Sequence, residues 1–191
     1  MAPGLSLCVR CREGPPRPLD LCLARVPYSY PWADTVARLK FQGQPAWAAE
    51  MARLMLQDPQ AQVLLGQCDR VAPIPLPLDR LLDRGYNQAW ELVRHVRQLA
   101  GPFDAVHDLL LREATDHTQH SLPRDERLIH ARQVFTVNPR HANAVAGQAV
   151  LLVDDVMTTG ATLNSAAALL RQAGARAVYG WVFARTPAPG M

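Results

Sequence analysis

Lysine is almost absent from this sequence. Lys40 is the only lysine among 191 residues, and nearly all of the 20 basic residues are arginine. No Gly-x-x-x-x-Gly-Lys motif occurs, so a Walker-type ATPase is excluded. A phospho-acceptor receiver domain needs a lysine late in the chain, and it is excluded as well. No apolar run of about 18 uncharged residues occurs either, so no membrane-spanning helix is expected.

Charged residues are also sparse, at 19% of the chain against 49% apolar residues, a composition typical of a folded domain. The length suits one ordinary domain with a small appendage. The net charge of +3 comes from scattered arginines, which allows nucleic-acid binding without indicating it. The first residues are too uncharged, and their apolar stretch too short, for a secretory signal, so we expect a cytoplasmic protein.

Four cysteines in such a chain indicate metal ligands or free thiols rather than disulfides. Cys8 and Cys11 form a Cys-x-x-Cys pair and Cys22 follows, which is typical of the first part of a zinc ribbon. Arg25 stands where a fourth cysteine would complete the set, although structural zinc sites have four protein ligands. Two alternatives stay open. Cys8, Cys11 and Cys22 bind Zn²⁺ with a fourth ligand from elsewhere, or residues 1–27 are a degenerate zinc-ribbon-like stub.

Residues 28–66 are predicted to form a helical hood. A first helix ends before Gly43 and Pro45, which break the pattern. A second helix follows, whose apolar residues recur at helical spacing. Either these helices lie over the mouth of the later sheet as a lid, or they only cover one of its faces. Residues 67–191 are the predicted core, where strand and helix patterns alternate as in a doubly wound α/β fold with a mainly parallel sheet.

The chemistry of the sequence is concentrated in residues 149–163, Ala-Val-Leu-Leu-Val-Asp-Asp-Val-Met-Thr-Thr-Gly-Ala-Thr-Leu. The apolar run 149–153 predicts a strand that is buried on both faces. It ends at Asp154 and Asp155, which we expect on opposite sides of the carboxyl end of the strand. A helix is predicted over 161–173.

The turn at residues 158–162 opens that helix. Small residues at a helix N-terminus leave backbone N–H groups free, and the threonine hydroxyls add donors, so the turn can hold one phosphate. Two acids beside a phosphate indicate a ligand that also carries hydroxyl groups, or Mg²⁺. A sugar phosphate meets both conditions. The alternative is a buried strand whose acids only cap the next helix.

A second anion site is predicted at residues 84–88, Arg-Gly-Tyr-Asn-Gln, after a proline-interrupted strand that begins at residue 69. Arg84 supplies a fixed charge, Gly85 a permissive backbone, and Asn87 a helix start. Residues 112–133 are polar and weakly periodic, which predicts a long loop of the kind that covers a site. Its His117 and His120 are interpreted as polar surface.

Residues 149–163 resemble the 5-phosphoribosyl-1-pyrophosphate (PRPP) binding motif of type I phosphoribosyltransferases. The resemblance implies a type I phosphoribosyltransferase-like fold. It implies that Asp154 and Asp155 face the ribose 2- and 3-hydroxyls. It also implies a set of residues around the ribose 5-phosphate: Thr158, Thr159, Gly160, Ala161 and Thr162.

Residues 71–76, Val-Ala-Pro-Ile-Pro-Leu, the Arg-Gly-Tyr-Asn-Gln run, Leu-Lys-Phe at 39–41 and the first cysteines together resemble the ComF family, which is associated with DNA uptake and natural competence. The resemblance implies that Arg84 and Gly85 take the pyrophosphate, with Arg84 stabilising the leaving group. It also implies that Arg112, Gln119 and Arg127 belong to a mobile loop over the site.

The function implied by this resemblance is binding of PRPP with Mg²⁺, with catalysis of phosphoribosyl transfer by Asp154, Asp155 and Arg84 and release of pyrophosphate. An alternative of a different class keeps the ligand without the reaction. In it, a competence protein handles single-stranded DNA together with other competence proteins, and PRPP is a ligand or a signal.

Overall fold

The computed structural model describes residues 18–112 and 135–187. In chain order, the strands are β1 (Leu21–Pro27), β2 (Arg70–Pro73), β3 (Leu110–Arg112), β4 (Phe135–Val137), β5 (Ala149–Met157) and β6 (Ala177–Arg185). The α-helices are α1 (Trp32–Phe41), α2 (Trp47–Leu56), α3 (Pro59–Gln67), α4 (Leu78–Arg84), α5 (Gln88–Ala100) and α6 (Ala161–Gln172), with a 3₁₀ helix at Pro139–Ala144. None of the helices in these ranges is long and apolar enough to cross a membrane.

The main sheet is parallel throughout, with the strand order β1-β6-β5-β2. β3 and β4 form a separate antiparallel ribbon. β5 is central, and its first five residues are buried, as expected for a strand that is covered on both faces. The strand continues to Met157, beyond Asp154 and Asp155, where the sequence predicted its end. It continues because β6 is equally long and pairs with it as far as Met157 and Arg185.

Helices cover both faces of the sheet, which confirms the doubly wound α/β fold. The helices α1, α2 and α5 lie on one face, where the buried residues include Val36, Leu39, Met51, Met55, Leu92, Val93, Leu151, Val153, Trp181 and Phe183. The helix α6 and the β3–β4 ribbon lie on the other face, where the buried residues include Leu110, Phe135, Val150, Leu152, Leu163, Ala166, Leu170, Val178 and Val182. Alternate residues of β5 therefore enter opposite halves of the core.

Both helices predicted for the hood are present, and α3 follows them. Asp58 caps α3 by accepting from the backbone N–H of Gln60 at 2.9 Å, and Pro59 occupies the first turn. Val36 and Leu39 of α1 are fully buried against the sheet, whereas Lys40 and Phe41 at the end of α1 line a cavity. The hood thus covers a face of the sheet and also borders the candidate site.

Residues 21–27 require a correction to the predicted amino-terminal stub. They form β1, an edge strand that pairs with β6 and belongs to the main sheet. Asp20 fixes this pairing, because its carboxylate accepts from the backbone N–H of Val178 at 2.8 Å. The predicted boundary at residue 27 therefore does not separate this strand from the core.

Candidate functional site

The carboxyl ends of β2 and β5 border a cavity of about 460 Å³. Such an edge is where open α/β sheets bind their ligands. The hood, the segment after β2, the start of α5, the β3 strand and the segment from β5 to α6 all contribute side chains. The lining residues are Tyr28, Lys40, Phe41, Ile74, Pro75, Leu76, Arg80, Arg84, Gln88, Arg112, Asp154, Asp155, Val156, Thr158 and Thr162.

The two acids of β5 lie on opposite faces of the strand, as its alternation requires. Asp155 lies on the face of β5 that is covered by the hood. It is 5% exposed, and its Oδ1 lies 3.0 Å from the Nζ of Lys40 on α1. Asp154 lies on the face of β5 that is covered by α6, and it is partly buried. Its Oδ1 accepts a hydrogen bond from the backbone N–H of Asp155 at 2.9 Å. Both side chains nevertheless line the same cavity.

The electrostatics of the pair are asymmetric. Burial raises the pKa of Asp154 to about 8, and the neighbouring charge of Asp155 also raises it, against the opposing effects of Lys40 and Arg112. Asp154 therefore holds a proton more tightly than a free carboxyl does, while Asp155 forms an ion pair with Lys40. As a consequence, the ligand-free site does not oppose an incoming phosphate with two unbalanced negative charges.

A smaller recess of about 30 Å³ lies at the N-terminus of α6. Thr158 and Thr162 line both this recess and the main cavity, while Gly160 and Ala161 line the recess. The Oγ1 of Thr159 accepts from the backbone N–H of Ala161 at 3.3 Å, so this hydroxyl serves the helix start. The open recess beside a helix N-terminus has the features of an anion site.

Gly160 gives the recess its shape. Its φ of 79° lies in the left-handed region that favours glycine, and a Cβ at this position would lie 2.5 Å from the Cε of Met157. The backbone conformation therefore favours glycine, and an added Cβ would also force the Met157 side chain to shift. Asn164 fixes the same turn, because its Nδ2 donates to the carbonyl oxygen of Gly160 at 2.8 Å.

Arginines of α4 also line the cavity. Arg80 and Arg84 both reach it from α4. The guanidinium of Arg84 lies 5.4 Å from the ring centroid of Phe41, which holds it at the mouth of the cavity. Gly85, with a φ of 78°, ends α4 by donating its N–H to Leu81 at 2.8 Å, so its role is to terminate the helix that carries Arg84.

The start of α5 corrects one part of the predicted second anion site. The side chain of Asn87 accepts from the backbone N–H groups of Ala89 and Trp90, at 2.9 and 3.4 Å. Its Nδ2 donates to the carbonyl oxygen of Ile74 at 3.0 Å. Those two N–H groups are thus already bonded, and the cationic groups at this end of the cavity are arginine side chains. The neighbouring Tyr86 donates its hydroxyl to the carbonyl of Leu39, which links this segment to the hood.

The structure describes part of the predicted mobile loop and part of the predicted zinc site. Arg112 was predicted to belong to this loop but is the last residue of β3, paired with Phe135 of β4. It lines the cavity, and its guanidinium lies 5.5 Å from the ring centroid of Phe135. The other loop residues, Gln119 and Arg127, lie outside the described residues, as do Cys8 and Cys11. Cys22 lies within β1, with its Sγ 3.5 Å from the Sδ of Met157. Within residues 18–112 and 135–187, no group of three or more His, Cys, Asp or Glu side chains could hold a metal ion.

Sequence reasoning did not assign several residues that line the cavity. Lys40 and Gln88 belong to the Leu-Lys-Phe and Arg-Gly-Tyr-Asn-Gln runs, which contribute to the family resemblance. Neither residue was assigned a role of its own. Arg80 follows the proline-rich segment after β2, and nothing in its local pattern distinguishes it from other arginines. Tyr28 and Phe41 were interpreted as part of the hood, yet both line the cavity.

Comparison with known proteins identifies the class of fold to which this chain belongs. Residues 96–190 match the phosphoribosyl transferase domain family. The matched range includes both acids of β5, the threonine turn and α6. The chain therefore has an α/β fold of the type I phosphoribosyltransferase class, with its acid pair at the end of a central parallel strand.

Similarity to whole proteins identifies a family within that class. The chain is 32% identical over 183 residues to the DNA utilization protein YhgH of Salmonella typhi, covering 94% of this chain and 78% of the relative. The protein of the same name from Escherichia coli K12 is 31% identical with the same coverage. Competence protein F of Haemophilus influenzae is 32% identical over 163 residues, covering 83% of this chain and 69% of the relative. The chain belongs to the ComF family.

Proposed function

We propose that this protein binds PRPP and uses it for phosphoribosyl transfer. The observation that carries the proposal is that the acid pair, the threonine turn and two arginines border one cavity. PRPP has a phosphate at one end, a ribose with two hydroxyls in the middle and a diphosphate at the other end. The three groups of side chains correspond to these three parts.

The recess at the N-terminus of α6 would hold the 5-phosphate, with Thr158 and Thr162 as donors. The carboxylates of Asp154 and Asp155 would accept hydrogen bonds from the ribose hydroxyls. Arg80 and Arg84 would hold the diphosphate through charge-assisted hydrogen bonds.

Mg²⁺ is the cation that this donor set fits. The carboxylates of Asp154 and Asp155 are oxygen ligands of the type that Mg²⁺ prefers, together with water and phosphate oxygens. The raised pKa of Asp154 is consistent with such a site, because a nearby cation would favour the charged form of that carboxyl. When bound with PRPP, Mg²⁺ would neutralise charge on the diphosphate.

The proposed reaction needs no nucleophile from the protein. The bond between C1 of the ribose and the diphosphate oxygen breaks, the electron pair leaves with the diphosphate, and an acceptor atom forms the new bond to C1. Arg84 and Arg80 stabilise the negative charge that develops on the leaving group. The rest of the rate enhancement comes from orientation of the ribose over the acid pair.

A second candidate function is handling of single-stranded DNA, with PRPP as a ligand or signal. The names of the relatives, which refer to DNA utilization and competence, favour it. Phe41 lines the cavity, is 70% exposed and lies against Arg84, and Tyr30, two residues after the lining residue Tyr28, is 83% exposed. Exposed aromatic rings combined with arginine are features that single-strand binders use for base stacking.

Pyrophosphate release distinguishes the two candidates. Wild-type protein, Asp155→Asn and the exposed control Asp34→Asn are incubated with PRPP, Mg²⁺ and a panel of nucleobases and oligonucleotides. Transfer predicts acceptor-dependent release that falls about tenfold or more in Asp155→Asn and stays unchanged in Asp34→Asn. Lack of release with every acceptor, together with salt-dependent binding of labelled single-stranded DNA that Asp155→Asn leaves intact, would favour the second candidate.

A further inference from the structure

The last three residues of α1 each contact a different part of the molecule around the cavity. The carbonyl oxygen of Leu39 accepts a hydrogen bond from the hydroxyl of Tyr86. The ring centroid of Phe41 lies 5.4 Å from the guanidinium of Arg84. Lys40 stands between them and lines the cavity. Because contacts hold both of its neighbours, the position of the Lys40 backbone relative to the cavity is fixed.

Lys40 is the cation in contact with the acid pair. Its Nζ lies 3.0 Å from the Oδ1 of Asp155, and the two side chains are 24% and 7% exposed. Among residues 18–112 and 135–187, no other ion pair involves Asp154 or Asp155. At 3.0 Å the two groups are in direct contact, with no space for a water molecule or an ion between them. This oxygen of Asp155 is therefore already bonded to a cation of the protein itself.

The contact conflicts with the proposed binding of Mg²⁺ at the same acids. Mg²⁺ binds carboxylate oxygens directly and at short range, and the ammonium of a lysine is a compact positive charge. The two cations would repel each other strongly at one oxygen of a half-buried carboxylate. A ligand with phosphate groups changes this balance, because it brings negative charge into the cavity that the ammonium can approach instead.

We propose that Lys40 is the resident cation of Asp155 before the ligand binds and competes with Mg²⁺ for this carboxylate, so that Mg²⁺ enters together with PRPP and not alone. The inference rests on the proposed function and gives a residue of the hood a role in the same site. Lys40 is a positioning residue in this role, since it acts through Asp155. It keeps a buried carboxylate charged and paired until the ligand takes it over.

Titration with Mg²⁺ alone tests the competition, by calorimetry and by the effect of Mg²⁺ on the unfolding temperature. Lys40→Met keeps most of the apolar stem of the side chain and removes its charge. Lys40→Arg keeps the charge. Arg53→Met is the matched control, because it removes one positive charge from an exposed ion pair with Glu50 on α2.

We expect Lys40→Met to bind Mg²⁺ alone about tenfold or more tightly than the wild type, because Asp155 has lost its competing cation. Mg²⁺ should accordingly raise the unfolding temperature of Lys40→Met more than that of the wild type. Lys40→Arg and Arg53→Met should bind Mg²⁺ within about threefold of the wild type. A purely structural ion pair would instead lower the stability of Lys40→Met and leave its affinity for Mg²⁺ unchanged.

The wild type supports a second measurement, since Lys40 is the only lysine of the chain. Reductive methylation with isotope-labelled formaldehyde labels this side chain and the amino terminus and keeps the positive charge. The methyl signal of Lys40 in carbon NMR is assigned by its absence in Lys40→Arg. We expect this signal to stay in place with Mg²⁺ alone and to shift when PRPP and Mg²⁺ are added together.

Two results would overturn the inference and leave the proposed function standing. In the first, the wild type binds PRPP with Mg²⁺, and Lys40→Met binds Mg²⁺ alone no more tightly than the wild type does. In the second, the Lys40 signal keeps its position with PRPP and Mg²⁺, or reaches its final position with Mg²⁺ alone. The second measurement uses the wild-type side chain, so it decides the question even where Lys40→Met is unstable. If folded wild-type protein does not bind PRPP at all, the proposed function and this inference are overturned together.

Discussion

The Nζ of Lys40 lies 3.0 Å from the Oδ1 of Asp155, so the only lysine of the chain neutralises an acid at the centre of the candidate site. Lys40 belongs to α1 of the hood, and Asp155 belongs to β5 of the sheet. Asp155 is 5% exposed, and a carboxylate this buried is stable in its charged form only with a partner. The pair therefore joins the hood to the ligand site through one ionic contact.

Removal of this contact should destabilise the protein. Lys40→Met leaves the buried charge of Asp155 without its cation, and we expect the free energy of unfolding to fall by about 1–3 kcal/mol in urea titrations. Lys40→Arg keeps the positive charge, so its free energy of unfolding should fall by less than that of Lys40→Met. Arg53→Met is a control that breaks the exposed pair with Glu50 and should change stability by less than about 1 kcal/mol. Equal losses in Lys40→Met and Arg53→Met would show that the Lys40 pair has no special role.

The stability of the protein should depend on pH through Asp154. Its folded pKa of about 8 lies above the unfolded value of 3.8, so the folded state binds the proton more strongly. This contribution to stability is fully present below about pH 4 and is lost as the pH rises through about 8. Asp154→Asn should therefore be more stable than the wild type at pH 8 by about 1–3 kcal/mol, with a flatter profile between pH 5 and 8. Urea unfolding across this range is the measurement, and parallel profiles for the two proteins would refute the assignment.

Substitution at Gly160 should alter both stability and the phosphate recess. Gly160→Ala forces a side chain into a φ of 79° and against the Cε of Met157, so we expect a loss of about 1–3 kcal/mol and weaker PRPP binding. Gly66 is the matched control, because it lies within α3 and an added Cβ meets nothing within 4 Å. Gly66→Ala should stabilise by up to about 1 kcal/mol. A stable Gly160→Ala variant with wild-type affinity for PRPP would contradict the structure of the turn.

Loss of the Arg84 guanidinium should affect the ligand rather than the fold. The helix α4 has no buried residue, so Arg84→Met should change the free energy of unfolding by less than about 0.5 kcal/mol. The same change should weaken binding of PRPP about tenfold to a hundredfold, because it removes a charge-assisted contact to the diphosphate. Arg94→Met, which alters an exposed arginine on α5, is the control in the same titration. An unchanged affinity in Arg84→Met would exclude Arg84 from the site.

Local patterns were sufficient to predict the centre of the molecule. The apolar run before Asp154, the small residues around Gly160 and the alanine-rich stretch of α6 are consecutive in sequence, and each one determines its own secondary structure. The helices α1 and α2 were also predicted correctly from apolar spacing. The doubly wound fold followed from the alternation of such segments.

Features that depend on distant residues were not accessible from local patterns. β1 forms a strand because β6 provides its partner, and its own sequence suggested cysteine ligands instead. The contact between Lys40 and Asp155 joins two segments that are far apart in the chain.

The measurement that tests the central claim most directly is a calorimetric titration of the folded protein with PRPP in the presence of Mg²⁺. We predict a saturable heat with about one PRPP bound per chain, since the acids and the threonine turn border the same cavity. The affinity should fall about tenfold or more in Asp155→Asn and stay at the wild-type value in Asp34→Asn. Absence of heat from folded wild-type protein, or equal affinity in all three proteins, would contradict the account.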